Sequence, residues 1–168
     1  MLRPIRVLII SDAPDHAELL SALRRADFDP SWRHTSTFEA FTAALACDRF
    51  DIVFADANAQ GVPTTNALEV LERSDLDIPC LVVSDVARED LIVDMMLAGA
   101  ADYLVTNNWE RLAQGVDRAL DAAAGRRGAA VGSALKPPGR VHLSGDDIGH
   151  QENVYRAASG WKERMRTP

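Results

Sequence analysis

Between residues 5 and 124, short apolar runs of strand length alternate with segments whose apolar residues recur every three or four positions. This alternation constrains the fold more than any other feature of the chain. Ile5-Arg-Val-Leu-Ile-Ile10, Ile52-Val-Phe-Ala55, Cys80-Leu-Val-Val83 and Asp102-Tyr-Leu-Val105 have the near-continuous hydrophobicity of strands covered on both faces, and a weaker strand falls around Ser31 to His34. Asp15 begins a helix marked by Leu19, Leu20 and Leu23, a second helix runs from about Thr37 to Ala46, and a third runs from about Thr64 to Arg73. Leu91 pairs with Met95 and Ile92 with Met96 on a fourth, and Leu112, Val116 and Leu120 mark one face of a fifth. Five such units predict an α/β fold: a doubly wound, five-stranded parallel sheet with helices on both faces. Parallel strands need crossover helices, and right-handed crossovers place them on both sides of the sheet.

The 168 residues amount to about one domain, and with 47% hydrophobic and 26% charged residues the chain can bury a core. Its charge is uneven. Residues 1–124 hold 10 arginines against 21 acidic residues, whereas residues 125–168 hold eight basic residues against four acidic ones. The sequence therefore divides into an acidic domain (1–124), a Gly/Ala/Pro-rich linker (125–140) and a basic tail (141–168), the tail read as disordered or as a short helix. Both lysines, Lys136 and Lys162, lie outside the acidic domain. A net charge of −7 argues against a nucleic-acid binder. Cys47 and Cys80 form no CxxC and read as reduced thiols. The run Val7 to Ile10 is too short for a signal peptide or a membrane span, so the expected location is the cytoplasm. His16, His34, His142 and His150 lack zinc-type spacing and read as surface or cap residues.

Ligands of such sheets bind beyond the carboxyl ends of the strands. Those ends carry Ser11-Asp12, Asp56, Ser84-Asp85 and Thr106-Asn107. A lone aspartate after a strand is most often a turn residue or N-cap, but this topology brings Asp12, Asp56 and Ser84 into one cleft. Two neighbouring carboxylates suit a hard cation such as Mg2+. A carboxylate beside that ion can attack a phosphoryl group, with a hydroxyl donating to a transferring oxygen.

Five stretches in order carry a resemblance over residues 5 to about 124. They are Val7-Leu-Ile-Ile-Ser-Asp-Ala-Pro-Asp15, Asp51-Ile-Val-Phe-Ala-Asp56, Ile78-Pro-Cys-Leu-Val-Val-Ser84, Ala98-Gly-Ala-Ala-Asp-Tyr-Leu-Val105 and Glu110-Arg-Leu-Ala-Gln-Gly-Val-Asp-Arg-Ala-Leu120. The chain resembles the receiver domains of two-component response regulators, a CheY-like, flavodoxin-like fold. The resemblance implies that Asp56 accepts a phosphoryl group from a histidine kinase or phosphotransfer protein, and that Mg2+ is held by Asp12, Asp56 and the Asn58 backbone carbonyl. It further implies that Ser84 hydrogen-bonds the phosphoryl group and that Tyr103 is the switch aromatic; an ordinary half-buried strand aromatic is the other reading of Tyr103.

The departures from the family point to a degenerate site. Ser11 replaces the first residue of the acidic pair, which weakens the metal site. Thr106 stands where the family has a lysine; a charge-assisted hydrogen bond of that kind is worth roughly 1.5 to 3 kcal/mol, about one to two powers of ten in phosphoryl affinity or coupling. Arg88 is a candidate to reach toward the site. Asp85 adds a negative charge beside Ser84, and Ala59-Gln60-Gly61 lacks the usual Met-Pro or Leu-Pro.

Two functions follow: a stand-alone receiver phosphorylated on Asp56, or a pseudo-receiver that binds partners without phosphoryl transfer. An enzymatic reading as a dehalogenase-type hydrolase fails on Asn58, where a second aspartate is needed, and on the missing lysine. The 44 residues after 124 are too few for a helix-turn-helix output domain beyond the linker. Output is therefore expected by protein contact through helix 4, strand 5 and helix 5, around Leu91, Met95, Tyr103, Trp109 and Leu112, with homodimerisation left open. Val154, Ala158, Trp161 and Met165 fall on one face of a basic segment that would suit a partner or a membrane surface, though Gly160 weakens such a helix.

Overall fold

Strand β1 (Arg3–Ile10) shows how the sequence builds the sheet. Val7 and Ile9 point to one face, Leu8 and Ile10 to the other, and all four are buried. Both faces must therefore be covered, and only crossover helices can do that in a parallel sheet. The computed structural model describes residues 1–134. Within them the chain runs β1, α1 (Ala17–Arg25), β2 (Phe28–Thr35), α2 (Phe38–Cys47), β3 (Ile52–Asp56), α3 (Thr64–Arg73), β4 (Cys80–Ser84), α4 (Glu89–Leu97), β5 (Asp102–Val105) and α5 (Leu112–Ala134). All strand pairs are parallel, in the order β2-β1-β3-β4-β5.

Helices α1 and α5 cover one face. Leu19, Leu20 and Leu23 of α1 and Leu112, Val116 and Ala119 of α5 close over Val7, Ile9, Phe54 and Leu104. On the other face Phe41 of α2, Leu68 of α3 and Met95 of α4 close over Leu8, Ile10, Val53 and Val82. Each fully buried Phe41 or Phe54 contributes about 1.5 to 3 kcal/mol. Because β1 lies between β2 and β3, the connections that leave β1 and β3 turn to opposite faces and open a crevice at the carboxyl ends. No helix of the described residues is long and apolar enough to cross a membrane.

Two sequence expectations are corrected. Strand β2 spans Phe28–Thr35, not only the centre around Ser31 to His34. Pro30 lies within it because β2 is an edge strand, where a residue without an N–H is tolerated. Helix α5 continues to Ala134, so Gly125 to Ala134 is helical where the linker was expected to begin. Alanine is the strongest helix former, and those at 122–124 and 129–130 outweigh the isolated glycines. His16 is the N-cap residue of α1, as one of the two readings expected, and is buried there, only 9% exposed. The rest of the linker, the tail, His142 and His150 lie outside the described residues.

Cys47 is exposed and Cys80 is buried, both as free thiols, and burial pushes the Cys80 thiol up to about 12.

Candidate functional site

At the carboxyl ends of β1, β3, β4 and β5 lies a cleft of about 400 Å3 whose walls include Ser11, His16, Asp56, Ser84, Asp85 and Trp109. Asp56 ends β3 half-buried. Its Oδ1 accepts the Asn58 N–H at 2.8 Å and its Oδ2 the Ser11 hydroxyl at 3.3 Å, while its carbonyl accepts the Thr64 hydroxyl at 2.9 Å. The carboxyl group is thus oriented from both sides, by a local hydrogen bond from Asn58 and a tertiary one from Ser11. Ser84 ends β4 and is 2% exposed; its Oγ accepts the Val86 N–H at 3.3 Å. Asp56 and Ser84 meet at the cleft as the sequence predicts.

Asp12 does not join them. Its Oδ2 accepts the Gln60 N–H at 2.6 Å and its Oδ1 the Gly61 N–H at 3.2 Å, so both oxygens are engaged by the β3–α3 loop. Gly61 makes this clasp sterically accessible, because a Cβ there would lie 1.9 Å from the Ser36 carbonyl oxygen. Asn58 is committed as well: its carbonyl accepts Gln60 Nε2 at 3.2 Å, and its Nδ2 donates to Asp85 Oδ1 at 3.3 Å.

A divalent cation would need oxygens of Asp12, Asp56 and Asn58 turned toward one point. Each already holds a protein hydrogen bond, and Asp12 is turned into the loop. Among the described residues no three His, Cys, Asp or Glu side chains converge as metal ligands. The residues in this arrangement do not fit Mg2+.

Tyr103 is buried, 6% exposed, in the core under α2, α3 and α4, and its hydroxyl donates to the Val86 carbonyl at 3.2 Å. It is therefore tied to the segment that follows Ser84, and it is more deeply set than a half-buried strand aromatic. Arg88 does not reach the site; it pairs with Asp90 at 2.6 Å. Thr106 lines the cleft in the place of the missing lysine.

Sequence reasoning missed the contribution of His16. Its ring lies 4.6 Å from that of His34 and 5.8 Å, edge-on, from that of Trp32. His34 Nε2 lies 2.7 Å from the Ser11 carbonyl oxygen, which links this aromatic group to the acceptor corner. Burial, and then the neighbouring His34, hold the His16 imidazole below its usual range against the opposing pull of Asp15 and Asp56. The alternation of polar and aromatic residues in Ser31-Trp-Arg-His34 was the only signal that one face of β2 packs against the β1–α1 corner.

No protein-family model and no curated protein matches the chain. Solved structures do. The signal receiver domain of a LuxO repressor protein from Vibrio parahaemolyticus is 21% identical, with 76% of this chain and 98% of that one covered at a TM-score of 0.62. A response regulator from Thermotoga maritima is 24% identical over 71% of this chain and 99% of its own, at a TM-score of 0.57. A sensor protein from Polaromonas sp. JS666 is 25% identical over 71% and 98%, at 0.59. The chain has the fold of response-regulator receiver domains.

Proposed function

We propose that this receiver-fold chain is a cytoplasmic signalling module of the two-component type that acts by protein contact, performs no turnover, and signals without phosphorylation of Asp56. The observation that carries this reading is the Asp12 carboxylate, held by the Gln60 and Gly61 amides beside a cleft that, among the described residues, no lysine or arginine lines. Phosphoryl transfer at an aspartate needs cations to neutralise the transferring oxygens. Here the Asp12 carboxylate is held by the loop amides and the lysine position is Thr106. Contact-driven output is supported by α4, where Val93, Met96 and Leu97 are exposed apolar residues beside β5. Apolar side chains grouped on one helix mark a protein-interaction surface.

The test is intact mass of the full chain after incubation with Mg2+ and a small phosphodonor, with Asp56→Asn and a receiver of complete acidic corner and lysine alongside. The expected result is an adduct on the control receiver and none on this chain. An adduct that appears on the wild type and disappears in Asp56→Asn overturns the reading.

A second reading has one observation in its favour, that Asp56 and Ser84 line the same cleft. Under it the chain is a stand-alone response regulator, loaded with Mg2+ and phosphorylated on Asp56 by a histidine kinase or phosphotransfer protein. Asp12 would first have to leave the loop amides, at the cost of two charge-assisted hydrogen bonds.

A further inference from the structure

Strand β2 closes one side of the sheet, and among the described residues no strand pairs with its outer edge. At eight residues it is as long as β1, so the open row of main-chain groups is a ready template for another strand. The bonds to β1 fix which groups are open. The Asp27 carbonyl accepts the Arg3 N–H at 2.8 Å and the Thr35 carbonyl accepts the Ser11 N–H at 3.2 Å, so the odd-numbered residues turn their main-chain groups inward. These groups alternate in side along a strand, and Phe28, Pro30, Trp32 and His34 therefore present theirs outward, Pro30 without an N–H. The side chains along this edge complement a second copy of themselves. Asp29, Ser31 and Arg33 are exposed on the face where Arg33 pairs with Asp48 at the end of α2, and Asp29 enters no ion pair among the described residues. On the face shared with α1, Trp32 leaves 47% of its surface open two positions from the buried Pro30.

We propose that two copies of this chain pair antiparallel through their β2 edges, with Ser31 opposite the partner's Ser31 at the two-fold axis, so that the two sheets continue as one. This register sets Asp29 against the partner's Arg33 and Arg33 against the partner's Asp29. On the other face it covers Trp32 with the partner's Pro30. Phe28 and the partner's His34 exchange both main-chain bonds, and the Trp32 N–H donates to the partner's Pro30 carbonyl. Registers two residues to either side lose this match: one sets Pro30 against the partner's Pro30 with no donor between them, and the other sets Asp29 and Arg33 against Thr35 and Ser31. The Arg33 guanidinium has donors for the partner's Asp29 as well as for Asp48. A single strand pairing is smaller than a permanent dimer interface, so the association depends on concentration. Strand β2 lies at the opposite side of the sheet from α4, and a pair therefore keeps two α4 surfaces free for other proteins, whatever the state of Asp56.

The test is sedimentation equilibrium of the full chain from about 5 to 500 µM, in about 0.15 M NaCl to screen the repulsion between acidic domains. The expected result is a monomer-dimer equilibrium for the wild type. Asp29→Arg and Arg33→Asp, each alone, set like charges opposite each other on both sides of the axis and should raise the dimer dissociation constant about tenfold. An equimolar mixture of the two variants brings opposite charges together again at both positions, as does one chain carrying both substitutions, and each should restore association. A variant that merely misfolds does not recover on mixing. A wild type that stays monomeric over the whole range, a dimer indifferent to the single substitutions, or single variants that stay dissociated when mixed overturns the proposal. A dimer lost with Leu97→Glu on α4 and retained in both β2 variants assigns the self-association to α4 and overturns it as well.

Discussion

Asp12 follows β1, the position from which an aspartate can serve a metal, and the loop across the crevice decides its use. Two amide donors from Gln60 and Gly61 hold both carboxylate oxygens. Gly61→Ala tests that clasp. The added Cβ cannot coexist with the Ser36 carbonyl at 1.9 Å, so the loop must shift, and we expect a loss of about 1 to 3 kcal/mol in urea unfolding. An unchanged midpoint would mean that Gly61 does not hold the loop against Asp12. His16 makes a prediction about pH. Its folded pKa lies below the ordinary 6.5 because burial penalises the imidazolium. The unfolded chain therefore binds the proton more readily, and the stability from neutral His16 is complete above 6.5 and is lost as pH falls through that value toward the lowered folded one. His16→Gln should flatten that part of the stability-pH curve, as read by thermal melts from about pH 8 to 5; an unaltered slope would assign it to other groups. Of these residues, Asp56 and Ser84 were legible in the sequence because strand ends are. The orientation of Asp12 and the burial of His16 were not, since each depends on a segment distant in the chain.

Element boundaries were legible where local chemistry announces them. Thr37 is the N-cap of α2 and accepts the Ala40 N–H at 3.2 Å. Thr37→Ala should cost about 1 kcal/mol, measured by chemical denaturation, and a change under about 0.2 kcal/mol would show that the cap is not engaged. Helix α4 ends at Leu97, and Gly99 just beyond it, with a φ of +102°, lets its N–H and that of Ala100 close on the last turn. One boundary misread from sequence, that of β2, was set by tertiary position. Pro30 is harmless only because β2 is at the edge, and nothing within the segment itself says where in the sheet a strand will lie. The extension of α5 to Ala134 had a local cause, alanine propensity, which the glycines of that stretch obscured.

At the scale of the molecule, charge is the governing feature. The ion pairs of the described residues are solvent-exposed on at least one side, and pairs of that kind contribute little each. The excess of acidic residues in 1–124 then acts as self-repulsion. Adding NaCl from about 0.02 to 0.5 M should raise the melting temperature by screening it; a fall would mean that specific pairs dominate. The same imbalance separates the two functional readings. Ser11→Asp together with Thr106→Lys restores both charges that the family's site carries, and we expect the double variant to gain an Asp56 adduct by intact mass when the wild type shows none. If it gains none, the Asp12 clasp alone is sufficient to block the chemistry.

By itself the sequence determined the parallel α/β sheet, because continuous apolar strands alternating with amphipathic helices can bury both sheet faces in only that architecture. It also determined that Asp56 and Ser84 stand at strand ends, since the length of each apolar run and the polar residue that closes it locate where a strand stops. Only the tertiary structure decided that Asp12 faces the β3–α3 loop, that Arg88 is taken by Asp90, and that His16 Nε2 is enclosed without a partner among the described residues. Those outcomes are set by competition among groups brought close in space from separate loops, where a displacement of an ångström or two changes which donor an oxygen meets, and no local pattern in the chain encodes the winner.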